Sequence, residues 1–395
     1  MSVIRVLHII DNINIDSGIS SFVMNIYRHI DTKLIQFDFL VSHRGYERGK
    51  TYEEEIHTLG GKIFYFGTPL SIKGLVKSTI YAKKFFKENV SNYDIVHLHT
   101  PTIAKFTIKY AKRYGIKEII THSHSTMTST KLWKAVINSY LISCIKKYTN
   151  HFWACSTEAA EFLFGKEFCM RNKIEIVRNA IEPEKYAFSQ QKRCEMRQKL
   201  SLDGSVVLVH VSNFSPIKNL SFMIPVIQKV IELKGGYRFL FVGDGPTKKS
   251  IEKELLRKGL FEHCVFVGQT DDVSVYLQAA DAFFMPSLTE GFGVAAVEAQ
   301  ANGLKCLLSD TITREVNAGQ VTFIPLKVEL WVDIILNLDI SSNLERSKNS
   351  ENFTKSELNI YNEINHIQNL YIEIAKIKND KQNTRSNIFK HVNSK

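Results

Sequence analysis

The sequence of 395 residues has no apolar run that reaches the roughly 18 residues of a membrane-spanning helix. Its apolar beginning, residues 3–10, is short, and Arg5 and His8 interrupt it. No small-residue cleavage site follows, so we interpret the segment as a buried first strand and not as a signal peptide. We therefore expect the protein to remain in the cytoplasm.

Cysteine is scarce, and none of the six cysteines forms a C-x-x-C pair or joins a histidine cluster with zinc-site spacing. A D-x-D carboxylate pair directly after a predicted strand is also missing, because Asp271 and Asp272 begin a helix pattern instead. The sequence shows neither a recognition helix nor aromatic RNP-type strands. These absences argue against a metal site and against base-specific binding of nucleic acid. We also expect no cofactor.

The composition that remains is that of an ordinary globular protein, with 44% hydrophobic and 23% charged residues and a length typical of two domains. Positive charge is concentrated in the first half. Residues 1–185 carry 26 basic and 17 acidic side chains, whereas residues 186–378 carry 21 and 22. A basic first half indicates an anionic ligand or an anionic surface, and a generic solvated surface is the alternative.

Short apolar runs alternate with helical patterns in both halves, which is typical of parallel sheets with helices on both faces. The predicted strands are 3–10, 37–41, 62–66, 95–98, 118–121 and 152–155 in the first half, and 206–211, 238–242, 264–267, 282–285, 305–308 and 321–324 in the second. We predict an α/β fold with two doubly wound domains, 1–185 and 186–350. A C-terminal helix over 351–378 and a flexible basic tail over 379–395 follow.

Three other segments have patterns of their own. Residues 130–147 show a helical pattern, and the polar, Ser- and Asn-rich residues 339–356 predict a loop. Apolar residues recur on one helical face over 357–378, which supports the predicted C-terminal helix.

The most informative stretch follows a predicted strand and runs from Pro286 to Glu298. Gly291 and Gly293 permit a tight turn and a close approach of a ligand, and a helix that begins near Gly293 favours a diphosphate at its N-terminus. Glu290 lies before this helix and Glu298 within it. Each carboxylate can accept hydrogen bonds from a vicinal diol of a sugar or a ribose. The alternatives are a capping role for Glu290 and a surface position for Glu298.

This stretch, P-S-L-T-E-G-F-G-V-A-A-V-E with its E-x7-E spacing, resembles the retaining glycosyltransferases usually called family 4. The resemblance covers about residues 3–330. It implies the GT-B fold, in which two Rossmann-like domains face each other across a cleft. It also implies that Glu290 contacts sugar hydroxyls and that Glu298 contacts the ribose. The backbone amides that would face the sugar and phosphates are those of Gly291, Phe292 and Gly293.

A second match to the family follows the predicted strand 206–211. Lys218 holds the position of a lysine that neutralises the leaving diphosphate in the family, whereas Ser212 and Asn213 replace a common Gly-Arg pair. Asn213 can donate a hydrogen bond to a phosphate but cannot neutralise it. For Lys218 the alternative is a surface lysine at the beginning of a helix.

Three glycine-containing turns add to the resemblance. Gly243-Asp-Gly245-Pro ends a predicted strand, and it lacks the third glycine of a dinucleotide fingerprint, which argues against an NAD enzyme. The resemblance implies that the backbone near Gly268 holds the base of the nucleotide. It also implies that the loop containing Gly18 lies near the donor phosphate and the acceptor.

The family usually has one histidine of the cleft at the end of the strand predicted over 118–121. His122 and His124 are both candidates for this catalytic position, with a preference for His124. A purely structural role is the alternative for either histidine.

The resemblance therefore implies a hexosyltransferase-type enzyme that needs no metal and retains the anomeric configuration. It also implies a nucleotide-sugar donor, in the first instance a UDP-sugar.

A basic segment with aromatic residues suits an anionic membrane surface, although two ordinary amphipathic helices are the alternative. Its members are Lys105, Lys109, Lys112, Arg113, Lys117, Lys131, Trp133, Lys134, Lys146 and Lys147.

We therefore expect a peripheral membrane enzyme of capsular polysaccharide or exopolysaccharide biosynthesis that acts on a glycan acceptor, most simply a lipid-linked one. Two alternatives are a nucleotide-sugar epimerase of the same fold and a non-catalytic partner that binds sugar nucleotides.

Overall fold

The computed structural model describes residues 3–15, 17–42, 50–67, 72–126 and 142–392. They form two compact units. The first unit contains the described residues up to Arg178 together with those from Glu363 onward, and the second contains Asn179–Asn362. Most of the predicted helix over 130–147 lies outside the described residues, including Lys131, Trp133 and Lys134.

The first unit contains a seven-stranded sheet. Its strands are β1 Ile4–Ile10, β2 Ile35–Val41, β3 Ile63–Tyr65, β4 Ile95–Leu98, β5 Glu118–Ser123, β6 His151–Ala154 and β7 Ile174–Ile176. The helices of its described residues are α1 Gly18–His29, α2 Glu53–Thr58, α3 Ile72–Asn89, α4 Ile108–Tyr114, α5 Ile145–Tyr148, α6 Thr157–Phe164 and α7 Lys166–Arg171.

The second unit contains a six-stranded sheet. Its strands are β8 Val206–Val211, β9 Tyr237–Val242, β10 Cys264–Gly268, β11 Ala282–Met285, β12 Lys305–Ser309 and β13 Val321–Ile324. Its helices are α8 Pro183–Tyr186, α9 Gln190–Lys199, α10 Leu220–Leu233, α11 Lys248–Arg257, α12 Ser274–Ala279, α13 Val294–Ala301, α14 Val328–Leu336 and α15 Asn343–Phe353. A last helix, α16 Ile360–Val392, begins here and continues into the first unit.

Both sheets follow the doubly wound strand order, β3-β2-β1-β4-β5-β6-β7 in the first unit and β10-β9-β8-β11-β12-β13 in the second. The strand pairs are parallel. Strands that are buried on both faces have continuous apolar sequences, which is why these strands could be predicted from the sequence. The predicted α/β class is confirmed. The strand order reverses between β1 and β4 and between β8 and β11, and such points bind ligands in open parallel sheets.

The C-terminal helix α16 completes the core of the first unit. Its side chains Ile367, Tyr371 and Ile374 are buried in the cluster that also contains Phe37 and Trp153. The backbone is helical to Val392, beyond the predicted helix end at residue 378. Residues 357–392 contain no glycine or proline that would end the helix earlier.

Two elements differ from the sequence-based prediction. The prediction of a loop over 339–356 is wrong, because α15 occupies Asn343–Phe353. Ser342 and Glu345 form a capping box at its N-terminus, so an S-x-x-E pattern marks this helix in an otherwise polar sequence. Strand β7 was not predicted, and it comprises only the three residues Ile174–Ile176. Among the described residues, no helix combines the length and apolar composition of a membrane span.

Candidate functional site

The switch point of the second sheet brings together two loops that the sequence analysis had selected. The loop after β8 carries Lys218 in a 3-10 turn, Pro216–Lys218, directly before α10. The loop after β11 carries Glu290 before α13. Because β8 and β11 are neighbours, both loops leave the same edge of the sheet. The two charged side chains meet there although 72 residues separate them in sequence.

Glu290 and Lys218 form a largely buried ion pair. Lys218 Nζ donates to both carboxylate oxygens of Glu290 at 2.8 Å, and the two side chains are only 17% and 10% exposed. Ser287 Oγ donates a further hydrogen bond to Glu290 Oε1 at 2.6 Å. The backbone carbonyl of Ser287 accepts in turn from Thr311 Oγ1 at 3.0 Å. This network satisfies both charges, as a buried pair requires, and fixes where they lie.

Gly293 shapes the beginning of α13. Its φ of +100° is left-handed, and it caps the helix that follows. A side chain at this position would be strained whatever the space around it. The neighbouring Phe292 is 3% exposed and anchors the turn in the core, while Gly291 stays half-buried. The turn therefore presents backbone rather than side chains next to Glu290, and the positive end of the helix dipole lies at the same place.

Glu298 lies inside α13, and its carboxylate accepts a hydrogen bond from Tyr186, a residue that was not predicted to belong to the site. Tyr186 Oη donates to Glu298 Oε1 at 2.7 Å. Burial raises the pKa of Glu298, while the hydrogen bond from Tyr186 and the charge of Lys185 act in the opposite direction. The backbone carbonyl of Tyr186 accepts from Asn302 Nδ2 at 2.6 Å, so Tyr186 is tied to the end of the same helix. Only the three-dimensional contact across 112 residues reveals this partner.

The loop after β8 turns Asn213 toward its own neighbours. Asn213 is exposed, and its side-chain oxygen accepts from Ser215 Oγ at 3.3 Å. His210 Nδ1 donates to the carbonyl of Phe284 at 2.9 Å, so its Nε2 accepts from Ser212 Oγ at 2.7 Å. Burial lowers the pKa of His210 to about 3, which keeps this link between β8 and β11 neutral.

The glycines of the turn after β9 permit a close approach of two loops. A Cβ atom at Gly243 would lie 1.9 Å from the carbonyl oxygen of Ser212, and one at Gly245 would lie 2.7 Å from the amide nitrogen of Phe214. Gly268 has a φ of +84°, and its carbonyl accepts from the Gly243 amide at 2.8 Å. Because Gly243 and Gly245 carry no side chains, the turn after β9 can pack closely against the loop after β8.

In the first unit, Gly18 is the first residue of α1, directly after the loop that follows β1. Ser17 caps this helix and accepts from the Ser20 amide at 3.4 Å. A Cβ atom built on Gly18 would meet nothing within 4 Å, so packing does not require glycine there. Gly18 thus lies at the beginning of a helix after the first strand, and its contact with a donor phosphate or an acceptor stays a prediction.

Five histidines cluster where β1, β4 and β5 end. His8 lies on β1, His97 on β4 and His122 on β5, while His99 and His124 directly follow the last two strands. His122 is fully buried, and neither ring nitrogen has a hydrogen-bond partner among the described residues. Part of His124 reaches the surface. Of the two candidates, only His124 is partly exposed, although its Nδ1 is buried and its Nε2 lies 2.8 Å from Nδ1 of His99.

The histidine cluster is electrically neutral and densely stacked. Burial lowers the pKa of His8 and His124 to about 3, and it lowers the pKa of the other three histidines well below the usual value. Nitrogen atoms of His8, His97 and His99 lie within 4.8 Å of one another, as do those of His99, His122 and His124.

Each of these triads contains a pair of stacked rings, with centroids 4.1 Å apart for His97 and His99 and 4.0 Å apart for His122 and His124. Lone pairs lie in the ring plane, so a stacked pair cannot direct both of them to one ion.

The basic segment is only partly free to contact a surface. Lys109, Arg113, Lys146 and Lys147 are exposed. Lys112 Nζ instead donates to the carbonyl of Lys117 at 3.0 Å and to Asn150 Oδ1 at 3.1 Å, so it joins α4 to the loop before β6. Lys105 and Lys117 are half-buried.

Two family models match the chain: Glycosyltransferase Family 4 over residues 17–185 and Glycosyl transferases group 1 over residues 192–320. The chain is 32% identical over 343 residues to a putative glycosyltransferase, EpsF, of Bacillus subtilis (strain 168), which covers 84% of this chain and 86% of the relative.

A second relative is the UDP-Gal:alpha-D-GlcNAc-diphosphoundecaprenol alpha-1,3-galactosyltransferase of Escherichia coli. It is 27% identical over 241 residues, which is 60% of this chain and 62% of the relative. Among solved structures, Anabaena Alr3699/HepE in complex with UDP and glucose matches with a TM-score of 0.74 at 16% identity, over 94% of this chain and 100% of that one. At this identity the likeness supports the fold alone.

Proposed function

Because the chain belongs to glycosyltransferase family 4, we propose that it transfers a sugar from a nucleotide-sugar donor to a glycan acceptor, with retention of configuration and without a metal ion. The observation that carries the proposal is the ion pair of Glu290 and Lys218 at the switch point of the second sheet. The carboxylate of Glu290 suits the hydroxyls of a sugar, and the ammonium group of Lys218 suits a phosphate. Both lie beside the glycine turn that begins α13.

The ion pair also explains how a donor can bind without leaving a buried charge alone. A diphosphate offers Lys218 a new anionic partner, and sugar hydroxyls offer Glu290 new donors. Lys218 therefore keeps an anionic partner and Glu290 keeps hydrogen-bond donors when the donor binds, which limits the cost of separating a buried pair. During transfer the diphosphate gains negative charge, which Lys218 and the N-terminus of α13 stabilise. Asn213 can add a hydrogen bond but no charge, which makes Lys218 the principal cation.

The remaining donor contacts follow the same loops. Glu298 accepts hydrogen bonds from the ribose hydroxyls, and Tyr186 holds its carboxylate. The backbone of Gly291, Phe292 and Gly293 faces the sugar and phosphates. We assign the base to the backbone near Gly268.

In the first unit we assign His124 to the reaction in preference to His122, because His122 is enclosed by protein on all sides. Gly18 leaves room at the beginning of α1 for the donor phosphate and the acceptor.

The relatives suggest the substrates. The name of the Escherichia coli relative specifies a UDP-sugar donor and a diphosphoundecaprenol-linked acceptor, and the Anabaena structure contains UDP and glucose. We infer a UDP-sugar donor and a lipid-linked acceptor in the synthesis of a capsular or extracellular polysaccharide. The exposed cations Lys109, Arg113, Lys146 and Lys147 then hold the enzyme against an anionic membrane at its cytoplasmic face.

The test is a transfer assay with a panel of UDP-sugars and undecaprenyl-diphosphate-linked acceptors in anionic vesicles, with products identified by mass spectrometry. We expect an acceptor extended by one sugar, made by the wild-type protein and not by Glu290→Gln. An epimerised donor without an extended acceptor would establish an epimerase instead. Binding of every donor without turnover would indicate a non-catalytic partner.

A further inference from the structure

Lys248 lies where the turn after β9 meets the end of β10. It is the first residue of α11, and its amide donates to the carbonyl of Gly245 at 3.2 Å. A Cβ atom built on Gly268 would lie 4.0 Å from Lys248 Nζ. Its two chain neighbours aside, that atom would meet nothing else within 4 Å among the described residues. The space beside Gly268 is therefore open, and the ammonium group of Lys248 borders it.

This ammonium group is partly buried, and its hydrogen-bonding capacity is not used. The side chain of Lys248 is 22% exposed, and Nζ lies 3.7 Å from Oδ2 of Asp244, which is too far for a hydrogen bond. Nζ has no other polar contact within the part of the chain that the structure describes. An ammonium group has three donors and no acceptor. Lys248 can therefore donate to an oxygen atom of a ligand that enters the space beside Gly268.

Helix stability does not account for a lysine at this position. The first turn of a helix is the positive end of its dipole, where a cation is unfavourable. The first turn of α11 contains no acidic residue that would compensate, and Lys249 adds a second cation there. Lys249 is exposed, whereas Lys248 borders Gly268. The two neighbours therefore differ in their surroundings and not in their position along the helix, which makes Lys249 a matched control.

We propose that Lys248 determines the base specificity of the donor site by donating a hydrogen bond to a carbonyl oxygen of the base. This inference rests on the proposed function, which assigns the base to the backbone near Gly268. Uracil and guanine carry a carbonyl oxygen where cytosine and adenine carry an amino group, which is itself a donor. A donor-only ammonium group beside that position favours uridine and guanosine diphosphates over cytidine and adenosine diphosphates.

The test is calorimetric titration of the full chain with UDP and ADP, for the wild type, Lys248→Met and Lys249→Met. We expect the wild type to bind UDP more tightly than ADP. Lys248→Met should bind UDP about tenfold more weakly, the loss of one hydrogen bond, and should bind ADP as the wild type does. Lys249→Met should match the wild type with both ligands.

Two results of these titrations would overturn the inference. UDP and ADP share the ribose and the diphosphate, so an equal loss of affinity for both in Lys248→Met would show that Lys248 binds one of those groups and not the base. Unchanged affinity for UDP in Lys248→Met would show that its ammonium group does not contact the nucleotide.

UDP analogues with sulfur in place of the ring oxygen at position 2 or position 4 identify the contacted atom, because sulfur is a weak acceptor. The wild type should bind one of the two analogues more weakly than UDP, and Lys248→Met should reduce this difference. Differences that stay the same in Lys248→Met for both analogues would also refute the contact.

Failure of the proposed function remains distinguishable. A wild-type protein that binds none of these nucleotides would refute the donor site together with the role of Lys248. Tight binding of UDP by both the wild type and Lys248→Met would leave the donor site standing and refute only the role of Lys248. Because a cation is unfavourable at this end of α11, the thermal midpoint of Lys248→Met should not fall, so weaker binding would reflect the lost contact.

Discussion

The contact between Tyr186 and Glu298 allows a quantitative test of the donor site. The change Tyr186→Phe removes one hydroxyl and keeps the ring that fills the core. A hydrogen bond to a charged group contributes about 1.5–3 kcal/mol, so the loss corresponds to roughly a 10- to 100-fold weaker affinity if Glu298 holds the nucleotide. The variant also loses the donor that favours the ionised carboxylate, so burial should raise the pKa of Glu298 further.

The assay is calorimetric titration with UDP of the wild-type protein, Tyr186→Phe, Glu298→Gln and the double variant, repeated from neutral to mildly acidic pH. Donor affinity should fall as Glu298 becomes protonated, and in Tyr186→Phe this fall should occur at a higher pH than in the wild type. In the Glu298→Gln background the tyrosine substitution should cost little. Tyr237→Phe is the matched control, because its hydroxyl donates to the carbonyl of Ile335 at 3.4 Å within the same unit.

Three results would refute this reasoning. Wild-type affinity in Tyr186→Phe would show that the hydroxyl does not support the site. An equal loss in both backgrounds would show that Tyr186 acts through another group. An unaffected Glu298→Gln would remove Glu298 from the donor site altogether.

Four further outcomes are expected. Glu290→Gln should reduce transfer at least about 100-fold, and adding Lys218→Met should restore the thermal midpoint but not transfer, because the unpaired buried charge is then gone. Transfer should be unchanged in excess EDTA, and strict dependence on Mn²⁺ or Mg²⁺ would contradict the proposed mechanism. Gly243→Ala should lower the free energy of unfolding by about 1–3 kcal/mol in urea titrations, since its Cβ would overlap the Ser212 carbonyl. Replacing the exposed Lys109, Arg113, Lys146 and Lys147 with Gln should weaken binding to anionic vesicles at low salt, by about 1 kcal/mol per cation, whereas four exposed control lysines of the second unit should not matter: Lys192, Lys199, Lys234 and Lys249.

Much of the fold follows from local patterns. The buried strands are continuous apolar runs, and the predicted strand at 206–211 has the bounds of β8. Helix α15 escaped prediction because its composition is polar, so that only the capping box at Ser342 and Glu345 marked it. Strand order could not be worked out from such patterns, because it depends on contacts between distant segments.

The candidate site, like the fold, could be predicted only in part from the sequence. The turn chemistry at Gly293 and the E-x7-E spacing were visible in sequence, and the family that they suggested is confirmed. The partner of each carboxylate was not visible. Lys218 reaches Glu290 across 72 residues and Tyr186 reaches Glu298 across 112. Contacts between residues so far apart in sequence depend on the topology of the fold, and no local pattern predicts them.

The position of helix α16 has a consequence for the order in which the chain folds during synthesis. Ile367, Tyr371 and Ile374 belong to the core of the first unit, yet the ribosome adds them only after the whole second unit. At roughly 5–20 residues per second, the first unit waits roughly 10–40 s for its last core side chains after Arg178 has been made. During that interval the side chains that pack with α16, among them Phe37 and Trp153, can contact chaperones. A chain truncated before Glu363 would leave these side chains uncovered, so expression of the first unit alone requires α16 to be supplied as well.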